Sequence, residues 1–292
     1  MSGHELIVRR PGPLSTVQDL GRPGYAHLGV PPSGALDPDA LRAANRAVGN
    51  DDSAAGLELT FGGLAVSLTA PRYVALAGAP AALTIDGVPA PRRAAVRVPA
   101  GAQLVIGRPE SGLRSYLAIA GGLTPPPVLG SRATDLLSGL GPAPLAAGTR
   151  LPLGEPTAPP STMDLGPQWT DEPDRTLRLY PGPRADWFTD EALELLTTGS
   201  YRVSPQSNRI GLRLEGPPLV RRYHAELPSE GLVTGAVQVP SNGQPVLFLA
   251  DHPTTGGYPV IGVVDPADLS VAAQARPGAT LRFRLGSTPT VG

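Results

Sequence analysis

Residues 229–259 read SEGLVTGAVQVPSNGQPVLFLADHPTTGGYP, and no other window of the chain is so dense in chemistry. Residues 231–239 carry Leu232, Val233, Val237 and Val239, Ser241-Asn242-Gly243 is a glycine-containing turn, and residues 245–250 form a second apolar run. That run stops abruptly at Asp251-His252-Pro253-Thr254-Thr255-Gly256-Gly257-Tyr258. A strand that opens into hydroxyls, a carboxylate and flexible backbone places polar groups at the mouth of a sheet or barrel. The stretch therefore predicts a mainly β fold with its chemistry at a strand end.

Composition points the same way. The 36 Gly and 36 Pro make up about a quarter of the 292 residues, yet 41% of the chain is hydrophobic. Val, Leu and Ala recur in short runs between the breakers, which fits many short strands joined by tight turns better than disorder or a helical protein. The length predicts two medium domains. A net charge of -1 supplies no electrostatic reason for a nucleic-acid or membrane partner. Cys is absent, so disulfides and thiolate chemistry are excluded. All 24 basic residues are Arg. Without Lys the chain cannot carry biotin, form a Schiff base or supply a Walker-type lysine. No apolar run approaches the roughly 18 residues of a spanning helix, and the first residues lack the pattern of a signal peptide, so a cytoplasmic location is expected.

Outward from the central stretch, residues 5–9 predict a strand. Residues 11–24 mix turn formers with Thr16, Gln18, Asp19 and Arg22, and taken alone they read as a surface connection. Asp37-Pro38-Asp39 starts the clearest helix, with Leu41, Ala44 and Val48 on one face, Asn45 beside them as either a satisfied core amide or a pinning contact to a neighbouring loop, and Gly49-Asn50 as the stop. Strands are expected at 56–61, 64–68, 73–77, 82–85, 94–98, 103–106 and 114–120, a compact antiparallel unit. Residues 156–173, rich in Pro, Thr, Ser and Asp, read as a linker between an N-terminal β subdomain, 1–155, and a C-terminal subdomain, 174–292. The second half predicts strands at 176–180 and 201–203, alternation through Leu212 and Leu214, and a last strand at 280–285. Its helices are one capped by Thr189 or Asp190 and ended by Gly199, and one from Asp265-Pro266 through Gln274. Two echoes, GLELTFGGL at 56–64 with GLRLEGPPL at 211–219, and VPAGAQL at 98–104 with ARPGATL at 275–281, hint at two related β units.

The residue types limit the chemistry. His4, His27, His224 and His252 are isolated, with no metal-ligand spacing. Pro253-Thr254-Thr255-Gly256-Gly257 is not a Walker loop, and neither a strand-to-helix G-x-G-x-x-G nor a G-x-S-x-G elbow occurs. What remains is a set of polar loops. Arg22, Arg209 and Arg213, with Gln18 and Gln238, are the candidate substrate-binding side chains, since Arg gives bidentate recognition of carboxylate or phosphate. Asp251 or His252 could move a proton, and Thr254, Thr255 and the Gly256-Gly257 backbone could bind an oxyanion. Asp251, Thr254 and Thr255 are the candidate catalytic residues, with no metal. The residues predict a small-molecule site for something anionic or amide-like and do not name the reaction.

Several segments together resemble one family. They are Thr16-Val-Gln-Asp-Leu-Gly-Arg22, Gly29-Val-Pro-Pro-Ser-Gly-Ala-Leu-Asp37, Ala44-Asn45 with Val48-Gly-Asn50, Leu129-Gly-Ser-Arg132, Ser207-Asn-Arg-Ile-Gly-Leu-Arg-Leu-Glu-Gly216 and the central stretch. In this order, over nearly the whole chain, they look like the carboxyltransferase subdomain A and B family. Its members include the C subunit of the prokaryotic 5-oxoprolinase (allophanate hydrolase subunit 2), the KipI antagonist and part of urea carboxylase. The resemblance implies a cyclophilin-like β-barrel with a few short helices, and a partner protein with subdomains C and D, like the B subunit of 5-oxoprolinase or allophanate hydrolase subunit 1. It also implies a third subunit of LamB/YcsF type, and ATP with Mg in the complex, for opening 5-oxoproline to glutamate as an amidohydrolase of cyclic amides. Two alternatives are implied as well: a carboxyltransferase component receiving a group from biotin carried elsewhere, and a regulator that binds a KipI-like kinase inhibitor. The chain departs from the family pattern at residues 139–144, at Asn208 for a usual Asp, and at His252-Pro253 for a usual Arg-Gln, which removes a cation beside Asp251.

Overall fold

A computed structural model describes residues 3–161 and 175–286. The chain forms two compact units. The first is built from residues up to Arg22, from Ser33–Asp135 and from the segment that starts at Gly139; the second takes the C-terminal part together with Pro23–Pro32 and Leu136–Ser138. Two short segments of the first half thus belong with the second unit. Most of the expected linker, 162–173, lies outside the described residues.

The first unit contains β1 (Glu5–Arg10), β2 (Leu14–Gln18), α1 (Pro38–Ala47), β3 (Gly56–Thr60), β4 (Ala65–Leu68), β5 (Arg72–Gly78), β6 (Ala81–Ile85), β7 (Val88–Pro89), β8 (Val96–Val98), β9 (Gln103–Pro109), β10 (Arg114–Ile119) and β11 (Arg150–Pro152). They make a six-stranded sheet, β11-β1-β4-β9-β6-β7, and a five-stranded sheet, β2-β3-β10-β5-β8. One core joins them: Leu6, Val66 and Leu104 from the first sheet pack with Val17, Leu57 and Leu117 from the second. On the other face of the five-stranded sheet, Ala44 and Ala47 of α1 and its C-cap Val48 meet Ala75, Ala77 and Ala118, small residues that let helix and sheet approach closely. Asp37 caps α1 by accepting from the Ala40 N–H, and Pro38 sits at its first position, as the sequence predicts. Asn45 is buried and satisfied, donating to the Ala54 carbonyl and accepting from Asn50.

Residues 11–24 are not a surface connection. Leu14–Gln18 is β2, in register with β3 from Leu14↔Thr60 to Gln18↔Gly56, and Thr16, Gln18, Asp19 and Arg22 are all buried. The sequence hid this strand because both faces are covered. Val17 enters the core, while Gln18 on the opposite face donates to the Thr134 carbonyl, so no apolar-polar alternation results.

The second unit contains β12 (Arg175–Pro181), α2 (Asp190–Thr198), β13 (Tyr201–Val203), β14 (Gly211–Glu215), β15 (Glu230–Gly231), β16 (Ala236–Gln238), β17 (Val246–Phe248), β18 (Thr255–Gly256), β19 (Val260–Val264), α3 (Leu269–Ala273) and β20 (Thr280–Leu285). Seven strands close into a barrel in the order β12-β19-β16-β17-β14-β13-β20, with every pairing antiparallel except β12 with β20. Leu177, Leu179, Leu212, Leu214, Leu281 and Phe283 are buried along it while their neighbours are more exposed, the period-two pattern of a filled small barrel. Thr189 caps α2 through the Ala192 N–H. The expected third helix begins as a 3₁₀ turn, Pro266–Asp268, and α3 ends before Gln274. β19 is an unbroken apolar run that the sequence reading missed. The long strand expected at 231–239 is short, because Gly235, at φ +87°, turns the chain and only Ala236–Gln238 joins the barrel. The echo between residues 56–64 and 211–219 is local: β3 lies in an open sheet and β14 in a closed barrel.

Candidate functional site

The loop after β17 is built on an ion pair. Arg209 Nε donates to Asp251 Oδ2 at 2.9 Å and Arg209 Nη2 donates to Asp251 Oδ1 at 3.0 Å, with neither side chain accessible. Asp251 Oδ2 also accepts from the Leu136 N–H at 3.1 Å, which fastens the Leu136–Ser138 segment. A bidentate guanidinium–carboxylate contact fixes both planes. The sequence shows no cation beside Asp251 because its partner lies 42 positions away.

From this anchor the chain passes His252 and Thr254, which line a cleft of about 270 Å³ together with Pro23, Gly24, Ala26, Val30, Pro32, Leu232, Val233 and Thr234. Among the described residues, no Asp, Glu or Arg lines it. The Leu232 N–H donates to the Thr254 carbonyl at 2.8 Å, tying two of the lining residues together. His252 is buried, and its Nδ1 lies 2.7 Å from the Pro253 carbonyl. A carbonyl only accepts, so Nδ1 carries the proton and Nε2 keeps a lone pair. Burial pushes the His252 pKa below its ordinary value, against the opposing pull of the Pro253 carbonyl and of Asp251. Among the described residues the imidazole has no other hydrogen-bond partner.

Beyond Thr254, β18 pairs with β15, Gly231 opposite Thr255 and Glu230 opposite Gly256. Thr255 and Gly257 are exposed. Gln238, on β16, donates from Nε2 to the Tyr258 carbonyl at 2.9 Å and lies against Gly256, where a Cβ would come within 2.7 Å of that nitrogen. Asp251, Arg209, Thr254, Thr255, Gly256, Gly257 and Gln238 therefore belong to one loop and its supports. Arg213 stands apart, exposed on β14.

Gln18 and Arg22 belong to the first unit. Gln18 Nε2 donates to Thr16 Oγ1 and to the Thr134 carbonyl, while Arg22 donates to the carbonyls of Val128 and Ala133. The same loop is gripped by Asp19, which accepts from Ser131 Oγ at 2.6 Å and from the Arg132 N–H at 2.6 Å. Gln18 Oε1 and Arg22 Nη1 are buried without a hydrogen-bond partner among the described residues. Sequence reasoning did not single out Ser33 or Leu129, non-glycine residues at φ +51° and +50° in this cluster. Their places within the segments 29–37 and 129–132 were the available signal.

The model of the carboxyltransferase domain, subdomain A and B, matches residues 28–285. The chain is 40% identical over 283 residues to the 5-oxoprolinase C subunit of Escherichia coli (strain K12), covering 95% of this chain and 90% of that protein. It is 34% identical over 305 residues to urea amidolyase of Lachancea kluyveri, covering 94% of this chain but 16% of that protein. Among solved structures, K. lactis urea amidolyase superposes with a TM-score of 0.92 at 29% identity, over 98% of this chain and 19% of that one. TTHA0988 superposes with a TM-score of 0.86 at 37% identity, over 96% of this chain and 56% of that one. The cyclophilin-like barrel expected from the resemblance corresponds to the seven-stranded barrel found here, and the chain belongs to the carboxyltransferase domain, subdomain A and B, family.

Proposed function

We propose that this chain is the subdomain A and B component of an ATP-dependent 5-oxoprolinase, which opens the lactam of 5-oxoproline to glutamate, and that it acts on cyclic amides only with its partners. The partners are a protein with subdomains C and D, like the B subunit of 5-oxoprolinase, and a third subunit of LamB/YcsF type. One observation carries the reading: the 40% identity to a 5-oxoprolinase C subunit extends over 90% of that protein's length. In this reading Thr254 and Thr255 face the chemistry, Gln238 and the Gly256-Gly257 backbone shape the rim, and the Arg209–Asp251 pair positions the loop. Gln18 and Arg22 hold the loop of the first unit, and exposed Arg213 is offered to a partner. ATP with Mg supplies activation of the lactam. Gly256-Gly257 leads toward a strand, not into a helix, so this glycine pair lacks the helix N-terminus that cradles a phosphate. The partner is expected to provide the nucleotide site.

The similarity to urea amidolyases favours a second reading, a carboxyltransferase component that receives its group from biotin carried on another chain or region. With no Lys, this chain cannot carry biotin itself. Co-purification with both partners, followed by an assay of ATP-dependent glutamate formation from 5-oxoproline, separates the two. No turnover by a folded complex overturns the first reading, and turnover only with carboxybiotin and urea establishes the second. No described helix is long and apolar enough to cross a membrane, and the cytoplasmic location expected from the sequence stands as part of this proposal.

A further inference from the structure

Two of the largest wholly buried side chains are arginines, and they are held in opposite ways. Arg209 is neutralised by Asp251 through two bonds of 2.9 and 3.0 Å. Arg22 has no ion-pair partner among the described residues. Its Nε donates to the Val128 carbonyl over a long 3.4 Å, its Nη2 donates to the Ala133 carbonyl, and its buried Nη1 has no described hydrogen-bond partner. A guanidinium is always charged, and burying a charge without a counter-ion is costly. Arg209 is therefore a fixed joint, whereas Arg22 sits in a place that its own charge disfavours.

Arg22 opens a loop that is closed on itself. At the stem the Ala35 N–H donates to the Asp19 carbonyl at 2.9 Å, the Asp19 carboxylate is gripped by Ser131 and Arg132, and a Cβ on Gly34 would lie 2.7 Å from the Gly21 nitrogen. A loop of this length whose ends meet is an Ω-loop. Inside it the Leu28 and Val30 N–H groups donate to the Tyr25 carbonyl, and the Gly29 N–H donates to the Ala26 carbonyl. Among the described residues, 23–32 hydrogen-bond only to one another and not to the rest of the second unit. What joins them to the cleft is apolar lining: Pro23, Ala26, Val30 and Pro32 share it with Leu232 and Val233. Gly24, directly after the stem, stands at φ +96° with nothing within 4 Å of an added Cβ, and Leu28 is 60% exposed. A self-contained loop on a clamped stem, with a free glycine at its root and no polar tie to what it covers, turns as one piece.

We propose that residues 23–32 are a lid on this cleft, seated in the structure and raised when Arg22 exchanges its two carbonyl acceptors for water. The exchange trades hydrogen bonds for hydrogen bonds, and it hydrates the Nη1 that burial leaves unsatisfied. Burial of the apolar lining opposes it, so the seated form is held by one effect and loosened by the other. A ligand that fills the cleft touches both the lid and Leu232 only in the seated form, and so holds the lid down. The inference is independent of the 5-oxoprolinase reading.

The first test treats the full chain with phenylglyoxal, which modifies accessible guanidinium groups, and follows each Arg by peptide mass spectrometry. Arg22 and Arg209 are equally closed to solvent when the lid is seated, and global unfolding exposes both, so their ratio isolates the lid. Arg22 should react at least about tenfold faster than Arg209. Gly24→Ala puts a side chain at a φ that favours glycine in the seated form, and should speed Arg22 at least about threefold with Arg209 unchanged. The second test uses the absence of Cys: spin labels at Leu28→Cys and Val233→Cys, both exposed positions, report one lid-to-rim distance by electron paramagnetic resonance. Two distance populations are expected, and Arg22→Met, which removes the buried charge, should collapse them onto the shorter. Arg22 reacting no faster than Arg209, a single narrow distance, or populations that Arg22→Met leaves unchanged overturns the proposal. Should Gly24→Ala fail to fold, the spin-label distances decide.

Discussion

Arg209 and Asp251 form a two-pronged ion pair, 2.9 and 3.0 Å long, with both side chains wholly inaccessible, and it fixes the start of the loop that lines the cleft. Removing one member strands a buried charge. Asp251→Ala should cost about 3–5 kcal/mol in urea-induced unfolding, while Arg209→Met with Asp251→Leu should recover much of that loss. A cost for Asp251→Ala below about 1 kcal/mol would show that the pair does not hold the loop. The double variant also separates roles in the assembled complex. Full turnover by a folded Arg209→Met, Asp251→Leu protein would remove Asp251 from the chemistry altogether.

His252 should make stability depend on pH in a defined direction. Its folded-state pKa lies below the ordinary value because burial disfavours the charged ring, and Asp251, the one charged neighbour that opposes this, is shared with Arg209. Between the folded value and about pH 6.5 the unfolded chain binds the proton that the folded chain refuses. Stability therefore rises with pH through that window, and this contribution is constant above it. Thermal midpoints on either side of about pH 6.5 should show a steeper rise for the wild type than for His252→Phe. Parallel slopes for the two proteins would contradict the assignment.

Tyr201 in the barrel carries a buried hydroxyl without a hydrogen-bond partner among the described residues, its ring 5.9 Å from that of Phe283. Burial pushes its pKa up to about 12. Since the hydroxyl already lacks a hydrogen bond, Tyr201→Phe should leave stability unchanged or raise it by about 1 kcal/mol. A loss of more than about 1 kcal/mol in thermal unfolding would reveal a bonded water at the site.

Gly256 leaves no room for a side chain. A Cβ there would lie 2.7 Å from Gln238 Nε2 and 2.8 Å from Leu232 Cδ1, so Gly256→Ala must displace one or both. The expected cost is about 1–3 kcal/mol by chemical denaturation, with loss of the Gln238 to Tyr258 bond.

Local chemistry made much of this protein legible. Asp37 and Pro38 announced α1, Thr189 and Gly199 bounded α2, and strands such as Gly211–Glu215 showed in alternation between turn residues. Each signal depends on neighbours within a few positions, and the sequence contains those neighbours. The density of polar groups after residue 250 likewise marked the loop that carries the ion pair and one wall of the cleft. β2 escaped because its polar residues bond to a loop more than a hundred positions away, and β19 because an unbroken apolar run does not announce its type.

By itself, then, the sequence determined the β-rich class, the capped helices, the absence of Lys and Cys chemistry, and the family. Only the tertiary structure decided that β12 lies parallel to β20 to close the barrel, that Arg209 neutralises Asp251, and that parts of residues 23–32 line one cleft with Leu232 and His252. Those facts depend on pairings between residues far apart in the chain. Their energy comes from burial and from satisfied charge, and neither has a local signature.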